Sequence, residues 1–229
     1  MEQQEYQNKM ARIKKIVFIG FIVSVVLAVA AIVMLGLYNA AGVFTIHTGN
    51  AGSKYERPFT YPGWQQLYGF GGEMIIQGYT ENTLDILMII AIYLPLLAGI
   101  VTTIMMITNL KRRGTNKKKA ILEFIMAGLL IFAAIVVINC DKVWIANASK
   151  VGPGSYANYY EDYLLPALAG QDGGYFHKEV FPNILGIVCI VTALVKAADG
   201  ALLLYQRAFA KKNSPGKTKI EIVEEVKEN

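Results

Sequence analysis

Apolar residues in this chain neither alternate nor recur on a single helical face. They accumulate in four blocks separated by polar sequence. The blocks are IVFIGFIVSVVLAVAAIVMLGLY at 16–38, ILMIIAIYLPLLAGIVTTIMMITNL at 86–110, AILEFIMAGLLIFAAIVVINC at 120–140 and FPNILGIVCIVTALVKAADGALLLY at 181–205. A hydrocarbon core about 30 Å thick is crossed by roughly 20 apolar residues rising ~1.5 Å each. Each block is long enough, and soluble core helices are seldom so uniformly apolar. The pattern therefore predicts an all-α integral membrane protein. Its domain, 1–210, is a bundle of four transmembrane helices, and 211–229 is a flexible polar tail.

The polar sequence between blocks predicts a small extracytoplasmic cap. The outer loops, about 39–82 and 141–180, are too long for simple connections. In the first, GVFTIHT at 42–48 is rich in β-branched and aromatic residues and predicts a strand; EMIIQGY at 73–79 is a second strand candidate. In the second, VGPGS at 151–155 breaks the chain and Ser155 can cap a helix. Tyr156, Tyr159, Tyr160 and Tyr163 then fall on one helical face, and Pro166 ends the run.

Charge orients the bundle. Sixteen of the 22 basic residues lie in 1–15, in the link KRRGTNKKK at 111–119, or after residue 205, all on one side of a four-span plan. Only Lys54, Arg57, Lys142, Lys150 and Lys178 lie on the other. The positive-inside rule places both termini in the cytoplasm of a multi-pass plasma-membrane protein. The net charge of +5 thus faces anionic lipid headgroups, which excludes a nucleic-acid partner as its reason. The basic stretch before the first block imitates a signal peptide, but a signal's apolar region is about 7–15 residues, which favours a retained anchor. The two cysteines, Cys140 and Cys189, lie at the end of one block and inside another, which excludes a disulfide framework in the loops.

The loops hold nine of the thirteen tyrosines, ten with Tyr38 at the rim, and both tryptophans. Trp64, Tyr68, Tyr156, Tyr159, Tyr160 and Tyr163 form either the small core of the cap or a recognition surface for a protein or glycan.

Within the blocks, LVKAADGALLLYQ at 194–206 stands out, because Lys196 and Asp199 interrupt it one turn apart. Centring the fourth span puts Asp199 about 6–7 Å inside the cytoplasmic boundary, with Lys196 about a turn deeper. Glu123 of the antiparallel third span reaches the depth of Asp199, so Lys196 is expected to reach both carboxylates. Such a cluster is either a structural clasp between spans or part of an ion path. Gly20, Ser24 and Ala28 form a small-residue stripe on the first span, suited to close helix packing inside the bundle or between molecules. His47 and His177, one per outer loop, are the only histidines and match no metal motif. No nucleophile–base pair, phosphate loop or dinucleotide fingerprint appears. The reading is a non-enzyme with no cofactor and no metal; a membrane enzyme working through His47 and His177 is the weakest alternative.

The layout and the stretch PGWQQLYGF at 62–70 resemble the claudin-like tetraspan proteins and the Gly-Leu-Trp region of their first outer loop. Here Gly63 and Trp64 adjoin, and the family's paired loop cysteines are missing. The resemblance implies a left-handed four-helix bundle carrying an outer β-sheet and acting in lateral assembly or adhesion. The expected function is a membrane scaffold, adhesion or accessory subunit that binds lipids and other membrane proteins, a second copy included. The alternative is a small transporter or channel subunit using Lys196, Asp199 and Glu123.

Overall fold

The computed structural model describes residues 3–40, 42–47, 59–62, 83–111, 117–148 and 165–213. These residues are mostly helical. Four helices are long and apolar enough to cross a membrane: α1 (Gln3–Ala40), α2 (Thr83–Lys111), α3 (Lys117–Ile138) and α6 (Phe181–Asn213). Each neighbours two others, in the cyclic order α1, α2, α3, α6, and the α3–α6 seam is the most extensive.

The helices outrun their apolar blocks. The apolar block of α1 starts at residue 16, yet its helix begins at Gln3. Residues 3–15 are mostly Gln, Glu, Lys, Met, Ala and Arg, good helix formers that continue the turn pattern into water. There Lys9 Nζ donates to Glu5 Oε1 at 2.6 Å, and this bond holds the exposed Glu5 carboxyl below its ordinary range. Helix α6 likewise runs on to Asn213, eight residues past its apolar block and into the stretch read as tail. The two extensions meet, with Tyr6 stacked on Phe209 at 5.8 Å between ring centroids.

At the opposite end α3 gives way at Asn139 to α4 (Cys140–Ala148), where the sequence predicted loop. The break is slight: the Asn139 amide still donates to Ile135 O, and Val143 N to Asn139 O. A short turn of helix, α5 (Leu165–Leu168), follows. Three strands complete this end: β1 (Gly42–His47), β2 (Phe59–Pro62) and β3 (Tyr175–Lys178). They form an antiparallel sheet in the order β2-β1-β3. The sheet thus draws one strand from the second outer loop, where the sequence reading expected only a helix. The second strand candidate at 73–79 and the Tyr156–Tyr163 face lie outside the described residues.

The sheet is tied to the bundle. Glu179 N donates to Val43 O at 2.8 Å, and Thr45 Oγ1 donates to Glu179 Oε1 at 2.6 Å. Lys178 Nζ donates to Ile138 O at 2.7 Å, at the carbonyl end of α3 where the helix dipole favours a cation. Asp141 lies 3.6 Å from the same ammonium.

The α3–α6 seam follows from small residues seven apart on both helices: Ala120, Ala127 and Ala134 face Gly200, Ala193 and Gly186. A Cβ at Gly200 would lie 3.2 Å from Ala120 O, and one at Gly186 3.5 Å from Ala134 O. Such close backbones bring opposed side chains within reach of each other. Large apolar side chains such as Val26, Ile135, Ile187 and Leu194 point outward on the bundle surface, as expected when lipid is the solvent.

Candidate functional site

A single polar layer crosses the bundle interior, and every spanning helix contributes to it. Glu123 comes from α3, Lys196 and Asp199 from α6, Ser24 from α1 and Thr102 from α2. Glu123, Lys196, Ser24 and Thr102 are fully buried, and Asp199 is 2% exposed.

Lys196 Nζ lies 3.1 Å from Glu123 Oε2. It also donates to Thr102 Oγ1 in a short hydrogen bond, and Thr102 in turn donates to Ala98 O at 2.7 Å. Asp199 is engaged elsewhere: Ser24 Oγ donates to its Oδ2 at 2.5 Å. The expectation that Lys196 would reach both carboxylates is therefore corrected. Among the described residues its ion pair is with Glu123 alone. The cause is rotational. Asp199, three residues on from Lys196, turns toward α1, where Ser24 supplies a donor.

The stripe on α1 faces inward. A Cβ at Gly20 would fall on Asp199 Oδ1, with Asp199 Cγ at 3.2 Å, so the missing side chain makes room for the carboxylate. Ala28 meets α2 at Gly99, where an added Cβ would lie 3.5 Å from that of Ala28. Gly20, Ser24 and Ala28 thus serve contacts within the molecule.

Apolar clusters seal the layer on both sides. Toward the sheet lie Ala98, Ala127, Leu130 and Ala193; toward the basic end lie Phe21, Met105, Ala120 and Leu203. Glu123 completes no hydrogen bond among the described residues. Oε1 has no partner, and Oε2 faces Lys196 at ion-pair distance but outside hydrogen-bond geometry.

Both histidines lie on paired strands: in the β1–β3 register His47 is opposite Tyr175 and Thr45 is opposite His177. Among the described residues no three His, Cys, Asp or Glu side chains are placed to hold a metal ion. Trp64, Tyr68, Tyr156, Tyr159, Tyr160 and Tyr163 lie outside the described residues.

No family model, curated protein or solved structure matches the chain.

Proposed function

We propose that this protein is a non-enzymatic membrane scaffold or accessory subunit that binds other membrane proteins, or further copies of itself, through its sheet-bearing end and its lipid-facing helices. The observation that carries this reading is the sealing of the polar layer between two apolar clusters, with Lys196 paired to Glu123 across α3 and α6 and Asp199 bonded to Ser24 across α6 and α1. That arrangement favours a clasp over an open ion path.

A bundle with a sheet held to the end of α3 by Lys178 is suited to presenting a fixed surface. The basic ends of α1 and α6 favour a cytoplasmic location for both termini, with the sheet outside the plasma membrane. A sheet on a four-helix bundle is also in keeping with the resemblance to claudin-like proteins, and with lateral assembly or adhesion as its use.

Purification from native membranes in mild detergent tests the reading. A companion in stoichiometric amount, or a defined homo-oligomer, is expected, and a Lys196→Met variant that accumulates should retain it. The transport alternative takes over if the purified protein in liposomes supports an ion or solute flux that Lys196→Met abolishes while the fold persists.

A further inference from the structure

The charge of the polar layer does not close. It holds one ammonium, Lys196, and two carboxyl groups, Glu123 and Asp199. Among the residues whose burial is described no other Asp, Glu, Lys, Arg or His is buried, and at this depth α1 and α2 contribute the hydroxyls of Ser24 and Thr102. With all three groups ionised the layer would carry one uncompensated negative charge, which a buried site tolerates poorly.

The hydrogen-bond inventory points the same way. Ser24 has one hydroxyl hydrogen and directs it to Asp199. Thr102 directs its own to Ala98 O. Neither can therefore serve Glu123 Oε1, which is fully buried and without a partner among the described residues. A buried acceptor left bare costs about 1–3 kcal/mol, and more when charged.

We propose that the layer binds one positive charge beyond that of Lys196, a hydrogen ion or a small monovalent cation such as Na+, held by the carboxyl groups of Glu123 and Asp199. The clasp is then a loaded site whose occupancy sets the stability of the bundle. This does not rest on the binding role above: a protein without any partner would still show it.

The test is thermal unfolding of the purified protein in detergent, followed by intrinsic fluorescence, with choline as the inert cation. Two titrations are run, one in pH and one in Na+, on the wild type, Glu123→Gln and Asp199→Asn. If the ligand is a hydrogen ion, the folded state holds one proton more than the unfolded state around neutral pH. The unfolding constant then rises about tenfold per pH unit as pH increases. If the ligand is Na+, the constant falls about tenfold per tenfold rise in Na+ above the dissociation constant. Either dependence should weaken in both variants. Equal slopes for wild type and variants in both titrations overturn the proposal.

Should the variants fail to accumulate, the wild type decides. A hydrophobic carbodiimide adds the O–H of a protonated carboxyl across its C=N bond. In mildly acidic buffer without Na+, modification should map to Glu123 or Asp199, and be suppressed by raising pH or adding Na+. An absence of modification at both positions overturns the proposal.

Discussion

Replacing Lys196 by Met removes the ammonium while keeping most of the side chain's length and apolar volume. The wild-type ion pair has an N–O distance of 3.1 Å with both groups fully buried. At an effective dielectric of ~20, Coulomb attraction at that distance is about 5 kcal/mol. Removing one partner of a buried pair generally costs about 3–5 kcal/mol, because the survivor is left charged and unpaired. Here the survivor is Glu123, which has no hydrogen bond among the described residues to fall back on. For a chain of this size that loss lowers the melting midpoint by roughly 6–20 °C. The double variant Lys196→Met/Glu123→Gln removes both charges together, and neutral replacement of a buried pair costs little or even stabilises. Melting curves in detergent should therefore order as wild type, then the double variant close behind, then Lys196→Met well below. A single variant within about 1 kcal/mol of wild type would show that the pair is solvated. A double variant no better than the single one would show that Lys196 acts by packing and not by charge.

Three further outcomes follow from named contacts. Gly20→Ala forces the Asp199 carboxylate off its place beside α1. It should cost more than Ser24→Ala, itself about 1–3 kcal/mol, and adding Ser24→Ala to Gly20→Ala should cost almost nothing more, as melting of the three variants will show. Gly200→Ala brings a Cβ within 3.0 Å of the Phe124 ring and 3.2 Å of Ala120 O. A loss of about 1–3 kcal/mol is expected, and Phe124→Leu should recover only the part due to the ring. Lys178→Met removes the donor to Ile138 O; about 1 kcal/mol should be lost, with faster amide exchange in β3 and the last turn of α3.

The spans were legible because apolar runs as long as a bilayer is thick seldom occur in helices that face water. Their ends were not. The edge of an apolar block marks where lipid stops and says nothing about where the helix stops, so the polar turns at 3–15 and 206–213 went unread. Strand β3 was invisible for a different reason. YFHK is too short to show alternation, and it is a strand because it pairs with β1, more than a hundred residues earlier. The polar layer was half legible. Depth along two antiparallel helices sets Glu123 level with Asp199 and within reach of Lys196, and depth can be counted from sequence; which of the two carboxylates Lys196 pairs with cannot. The Ser24–Asp199 bond depends on how α1 is turned about its own axis, and a strongly apolar helix carries little periodic signal for that. Ser24 therefore read as a small packing residue, when its hydroxyl is what engages Asp199.

That division of the layer also says how it should come apart. The ion pair bridges α3 and α6, whose backbones are held close by alanine and glycine at seven-residue intervals. The Ser24–Asp199 bond bridges α1 and α6, and α1 is the least enclosed of the four long helices. Loss of the second bond need not disturb the first, since Asp199 and Lys196 have separate partners. Ser24→Ala should therefore loosen α1 locally, raising its amide exchange around residues 20–28 while exchange along the α3–α6 seam stays near wild type. Lys196→Met should do the reverse, beginning at the seam. If both substitutions raise exchange equally in all four helices, the layer opens as one unit, and separate clasps for α1 and α3 are the wrong description of it.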